Sequence, residues 1–348
     1  MRKNVRARLA RSAAIFMAAN LFAGPAVAGG AGTTAGNFLK IPTAAIPAAL
    51  GSAYTGAGTV DSILYNPAGI GLVNYNSISF SHNEYIEGLK QEYFAGAMPF
   101  EWGRIGAAFS TLSSDDFDAY DEHGSRIGQT SSSHMLFALN YANSYPYFHE
   151  DKNTHDRMLL VPDWSKLPDI ERYRPQTFRI AYGATIRYIK ERLDDASSSS
   201  MAADLGVIFV PASHVQLGAA LQNIGGKQNF DTETYSLPLT YRFGIATDFL
   251  ARKRVLILKA LGDAVKESDR DLYFNFGLES NIRQMFQLRA GYRTGQDTGN
   301  GLTFGAGLCL DRFTEEGYFF RGIRLDYAYI HQGAFGASHR LGFQILFP

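Results

Sequence analysis

Cysteine is almost missing from this chain. Cys309 stands alone among 348 residues, which excludes an intramolecular disulfide and any cysteine-built zinc site. An excess of charge of either sign is missing too, since 33 basic residues face 33 acidic ones. A phosphate-reading surface needs a basic surplus, so nucleic acid is excluded as a partner. After residue 28 no apolar run is long enough for a membrane helix, which excludes a helical inner-membrane protein. Catalytic signatures are equally scarce: there is no G-x-S-x-G, no P-loop and no zinc motif. His149 and His155, with Glu150, Asp151 and Asp156, share one long connector and read as a solvated charged loop, because nothing there fixes ligand geometry. Ser338 and His339 are adjacent on a strand pattern and point to opposite faces, so they form no nucleophile–base pair. Asp115-Asp116 and Asp194-Asp195 read as turn residues. The expectation is a protein with no catalytic residues, no cofactor and no metal.

What is abundant is glycine and aromatic side chains: 35 Gly, 25 Phe and 19 Tyr. That combination favours strands with close backbone contacts and boundaries between wet and apolar surroundings. Residues 1–28 read as a secretory signal. Arg2, Lys3, Arg6, Arg8 and Arg11 precede the short apolar run Ala13 to Ala23, and Ala26-Val27-Ala28 offers a cleavage site before Gly29. The residue directly after that cleavage point is Gly29 and not cysteine, which speaks against a lipoprotein. An organelle-import peptide is the alternative.

From Ser77 onward the pattern has period two. Leu272, Phe274, Phe276 and Leu278 share one face, and Tyr273, Asn275, Gly277 and Glu279 the other. The rhythm returns around Phe178 to Arg187, Leu239 to Ile245 and Ile323 to Tyr329. About fourteen segments follow it, at 77–82, 91–98, 104–112, 133–142, 177–191, 200–210, 214–223, 238–249, 253–262, 271–282, 286–293, 301–312, 321–330 and 338–347. Most have the length a tilted strand needs to cross a bilayer. The weakest are 77–82 and 253–262, where Leu256 and Leu258 disturb the alternation. Short connectors at 99–103, 211–213 and 281–285 read as periplasmic turns. Longer ones at 112–132, 143–176, 225–238 and 313–320 read as exposed loops, and Ser197 to Ser200 as a loop tip. A soluble β-protein would bury the apolar face, whereas a membrane barrel turns it to lipid and keeps a polar interior. The signal, the strand lengths and Arg and Asp alternating with Gly on the polar face favour the membrane. The fold class is therefore all-β: a transmembrane antiparallel barrel of about fourteen strands, residues 77–348, in the bacterial outer membrane, with bilayer lipid around it.

Residues 29–76 lie ahead of this array. Gly36 to Val73 is rich in Ala and Gly, broken by Pro42, Pro47 and Pro67, and charged only at Lys40 and Asp61. Such a stretch reads either as a surface loop or as an N-terminal plug, a hatch packed in a confined space. In Asn66-Pro67-Ala68-Gly69, Pro67 fixes one dihedral, Asn66 caps its own turn and Gly69 tolerates unusual angles; the plain reading is a tight turn. On the polar face, Arg179, Arg187, Arg242, Asp248, Glu279, Arg289 and Asp326 are the candidate lumen-facing charges. They either hold the hatch or merely keep the interior wet. The segment Met158 to Pro175 carries an apolar cluster that suits a binding surface or a self-packed lid.

Two stretches carry a resemblance. Gly36, Phe38, Leu39, Ile41, Ala49 to Gly51, Ala53 and Asn66 to Gly69 follow the opening run of FadL-like outer-membrane barrels, in particular the PorV/PorQ family. Gly336 to Phe347 is similar to the closing strand of that family. Its Arg340, Gly342, Ile345 and Phe347 resemble the C-terminal assembly signal read by the outer-membrane insertion machinery. Gly342 departs from the usual serine and Pro348 extends past the terminal aromatic. The resemblance implies a PorV-like component of type IX protein secretion, whose partners are the secretion translocon and secreted proteins received at the cell surface. It also implies that the turn at Asn66 anchors the hatch. The alternative is a FadL-like channel for small hydrophobic molecules.

Overall fold

A computed structural model describes residues 33–121, 123–145, 178–194, 196–212, 214–230, 233–252, 255–296, 298–310 and 322–347. The signal segment, the His149 and His155 set and the Met158 to Pro175 cluster lie outside these residues.

The strands of the first half are β1 (Asn76–Glu84), β2 (Lys90–Phe100), β3 (Gly103–Ser113), β4 (Phe117–Tyr120), β5 (Arg126–Thr130), β6 (Ser132–Tyr145), β7 (Arg179–Leu193), β8 (Ala196–Ala212) and β9 (Val215–Ile224). Those of the second half are β10 (Lys227–Phe230), β11 (Glu233–Ser236), β12 (Thr240–Arg252), β13 (Leu256–Glu267), β14 (Tyr273–Ile282), β15 (Phe286–Arg293), β16 (Leu302–Cys309), β17 (Gly322–His331) and β18 (Ala337–Phe347). Fourteen of them form one closed antiparallel barrel, sealed by β1 pairing with β18 on one side and β2 on the other. The remaining four make two small hairpins outside the wall, β4–β5 and β10–β11. Each expected segment coincides with a barrel strand within a few residues; the two hairpins were not anticipated.

Alternation places side chains as the period predicts. Phe276 is 51 % exposed on the outside while its neighbour Asn275 is 0 % exposed on the inside. Phe80, Phe94, Phe304, Leu325 and Phe343 add to the apolar exterior. Arg187, Asp204, Arg242, Asp263, Arg289, Asp326 and Arg340 are buried on the interior. Apolar outside and polar inside is the arrangement of a membrane-spanning barrel. No helix among the described residues is long and apolar enough to cross a membrane.

Two sequence expectations need correction. Asn76 pairs with Phe347, so the start of β1 and the end of β18 share one end of the barrel, here the terminal end. Counting strands alternately, the connectors 146–178 and 310–321 leave from that same end, beside the short turns at 101–102 and 283–285. Only the long connectors containing β4–β5 and β10–β11 are at the far end. Loop length alone misled, because parity decides the side in an antiparallel closed sheet. The second correction is Ser197 to Ser200, which lies within β8 and pairs residue by residue with β7.

Candidate functional site

The N-terminal segment is built from short turns because its sequence permits nothing longer. Asn37–Lys40 is a 3-10 turn after Gly36, which sits at φ 72°. Helix α1 (Ala45–Ala49) contains Pro47 and ends before Gly51, itself left-handed. Val60–Leu64 is capped by Thr59, whose side chain accepts from the Asp61 N–H at 3.2 Å. Pro67–Leu72 is capped by Asn66, whose Oδ1 accepts from the Ala68 N–H at 3.1 Å, with Pro67 at the first position, where its fixed φ suits the turn.

From Thr43 to Ser62 and from Tyr65 to Val73 nearly every residue is buried, and the partners are inward-facing groups of the wall. Where backbone meets backbone, glycine makes the room. A Cβ at Gly206 of β8 would collide with Asn66 Oδ1, and one at Gly183 of β7 with the Pro67 carbonyl. The Asn66-Pro67-Ala68-Gly69 turn is thus seated in a glycine cradle. Asn66 Nδ2 donates to the Thr55 carbonyl at 2.8 Å and to the Val207 carbonyl of β8 at 3.2 Å. Asn140 of β6 donates to the Pro67 carbonyl at 3.2 Å.

The seven expected lumenal charges divide into three roles. Arg242 touches the segment: Nη2 donates to the Ser52 carbonyl at 2.9 Å and Nε to Thr55 Oγ1 at 3.0 Å. Arg187 joins Asp204 at 2.5 Å and reaches the Leu64 carbonyl at 3.4 Å. Arg289 instead binds wall to wall, with Glu279 and Asp326 both at 2.6 Å. Asp248 stands 3.8 Å from Lys259, half-exposed, and Arg179 is half-buried on β7. The strongest anchor of the segment was not anticipated. Asp263 of β13 accepts from the Tyr54 and Thr55 N–H groups, both at 3.0 Å, from Thr55 Oγ1 at 2.6 Å and from Arg242 at 3.2 Å. It lies on the strand with the poorest alternation, where the inward phase also holds Leu261 against Leu50, Ala53 and Tyr54.

Asp61 is enclosed between the segment and the β1–β18 seam, accepting from Gln344 Nε2 at 2.8 Å. Burial pushes its carboxyl up to about 6, against a hydrogen bond from Ser79. Of the C-terminal motif, Arg340 and Gly342 face inward, and a Cβ on Gly342 would press on Ala45 of α1. Ile345 and Phe347 occupy the outward phase. Ser338 is buried inside, whereas His339 is outside against Tyr327.

Above the segment, at the far end, a cavity of about 680 Å³ opens. Phe38, Ile41, Leu112, Phe230 and Ile330 supply apolar walls, and Lys40, Arg270 and Arg293 basic ones. Its floor is the strap Thr34 to Pro42. Lys40 Nζ binds Asp269 at 2.7 Å, Thr34 donates to the same carboxylate at 2.5 Å, and Glu191 accepts from the Gly36 N–H at 3.3 Å. Burial opposes ionisation of Asp269, yet the bonds from Lys40 and Thr34 hold its carboxyl below the usual range. Below the strap lies a second void of about 50 Å³, bordered by Gln91, Arg187, Arg242, Glu267 and Arg293.

No protein-family profile matches the sequence, and no curated protein matches it. Solved structures of similar fold exist. The toluene transporter TodX of Pseudomonas putida superposes with a TM-score of 0.52 at 11% identity, over 87% of this chain and 96% of that one. The monoaromatic hydrocarbon channel CymD gives a TM-score of 0.51 at 8% identity, over 88% and 96%. At such identities the likeness is one of fold. The chain shares the barrel architecture of these hydrocarbon channels.

Proposed function

We propose that this protein is a FadL-like channel of the bacterial outer membrane that admits small hydrophobic molecules, with residues 29–76 as its plug and the far end facing outward. The observation that carries the reading is the partly apolar mouth cavity, closed below by the strap and set in a barrel shaped like hydrocarbon channels. A cavity of this size suits a compact apolar ligand. The interior below the strap is polar and bordered by Arg187, Arg242 and Glu267, so an apolar ligand is favoured in the mouth over the lumen. The lipid-facing exterior and the closing strand support insertion by the outer-membrane assembly machinery. A PorV-like role in type IX secretion rests on the two terminal motifs alone; the likeness to TodX and CymD supports the channel reading over it.

Calorimetric titration of the purified protein with toluene and with longer alkylbenzenes tests this. Saturable binding that Phe38→Glu abolishes is the expected outcome. Binding unchanged by that variant, or none for either ligand, would remove the mouth cavity as the site.

A further inference from the structure

Among the described residues, Arg340 is the largest fully buried side chain, at 0 % exposure. It lies on the inner face of β18 level with Asn83 of β1, which in turn stands level with Gln91 of β2. When the Asn83 amide is assigned so that its nitrogen donates to Ser338 Oγ, its oxygen accepts from Arg340 Nη2 at 3.0 Å. Arg340 Nη1 has no hydrogen-bond partner. One step along the same inner face, Ser81 and Tyr93 stand opposite each other, and neither hydroxyl has a partner.

Three other lumenal guanidinium groups each have a counter-charge. Arg187 has Asp204, Arg242 has Asp263, and Arg289 has both Glu279 and Asp326. Arg340 meets an amide, and the ionisable groups around it are the phenols of Tyr65 and Tyr85 and a second cation, Arg293. A guanidinium does not shed its proton in a protein, so its charge must be balanced by something else. Gln91 and Arg293 border the void of about 50 Å³, and Arg293 also borders the mouth cavity. That void has room for about three water-sized species. The carboxylate on its wall, Glu267, is engaged by the Tyr273 hydroxyl at 2.7 Å and by Lys40 at 3.8 Å.

We propose that Arg340, with the free hydroxyls of Ser81 and Tyr93, forms a lumenal binding site for a small monovalent inorganic anion of chloride size. One negative charge neutralises Arg340, and the guanidinium and hydroxyl donors replace the anion's water. A polyvalent phosphate is disfavoured by its larger desolvation cost. This site is separate from the hydrophobic ligand site proposed above and does not depend on it.

The test is thermal unfolding of the purified full-length protein in detergent, exchanging sodium gluconate for sodium chloride at constant ionic strength. Chloride should raise the melting temperature, and above the dissociation constant the rise should continue with the logarithm of its concentration. For one site, each tenfold rise above the dissociation constant favours the folded state about tenfold. Arg340→Met should fold and show no difference between the two salts. If that variant does not fold, Ser81→Ala with Tyr93→Phe should weaken the chloride dependence, and bromide soaked into wild-type crystals should scatter anomalously beside Nη1. Identical melting in both salts, an undiminished dependence in a folded Arg340→Met or in the double variant, or bromide bound elsewhere only, would overturn the site.

Discussion

The barrel wall and the segment inside it are held by different forces. The wall is a continuous backbone ladder, closed so that no strand edge is left over. Its own ion pairs, such as Arg289 with Glu279 and Asp326, need nothing from the segment. The segment has no ladder. It is fixed by wall side chains that reach its backbone: Asp263 to Tyr54 and Thr55, Thr303 to the Ala49 carbonyl at 3.0 Å, and Arg104 to the Val73 carbonyl at 2.7 Å. Dependence therefore runs one way. The segment needs the wall for its hydrogen bonds, while the wall keeps its ladder without the segment.

Deleting Gly36 to Val73 breaks this comparison most severely. The barrel should still insert, but a fourteen-stranded wall is wider than its own side chains can fill. Planar-bilayer recordings should show a large open conductance to small ions. A deletion variant that inserts yet conducts no more than the full chain would show that the segment does not seal the lumen.

The wall alone is probed by Phe276→Arg. At mid-bilayer depth this change should cost about 2–4 kcal/mol of folding free energy in lipid. From sequence alone Asn275→Arg, one residue away, would be mild, since it faces the lumen. The structure changes that expectation, because Asn275 is fully buried and its Nδ2 donates to the Ser52 carbonyl at 3.4 Å. Arginine there should leave insertion intact and displace the segment, giving conductance without loss of folding.

The same contrast explains what the sequence could tell. Strands announce themselves by period two, so all fourteen segments were readable. The reading weakened where the wall touches the segment. On β13, Leu261 and Val265 occupy the inward phase and are buried, which blurs the alternation. Ser197 to Ser200 hid the start of β8 in the opposite way, by looking polar on both faces. Within the segment, the Asn66 turn was visible from its local chemistry. Its partners Gly206 and Val207, about 140 residues away in the chain, and the anchor Asp263 were not, because nothing local encodes a contact at that separation. Gly342 shows the reverse case: an unusual residue in the closing strand becomes intelligible only once Ala45 is found against it.

Proton linkage sharpens the comparison from inside the segment. Asp61 titrates near 6 when folded, above its ordinary 3.8. Between those values the folded protein keeps a proton that the unfolded chain has released. Stability should therefore be greatest below about pH 4 and fall as pH rises towards 6, by about 3 kcal/mol at most, then level off. Asp61→Asn should flatten that stretch of the profile and stabilise the protein at pH 7. Melting curves of both proteins between pH 4 and 7.5 would reveal it, and parallel profiles would remove Asp61 as the cause.

The mildest perturbation separates the two jobs of Asn66. Its oxygen caps the turn by accepting from Ala68, while its nitrogen donates to Thr55 and to Val207 in the wall. Asn66→Ala removes both, at about 1 kcal/mol for the cap, and should give a leak weaker than that of the deletion. Asn66→Asp keeps the cap acceptor but turns a carboxylate towards two carbonyl oxygens that now lack a donor, in a site with no exposure to solvent. If the wall contact holds the turn, aspartate should leak more than alanine despite being the better cap. If the cap holds it, aspartate should behave as wild type and only alanine should leak. Single-channel recordings of the two variants side by side decide between these, because the order of their conductances reverses with the answer.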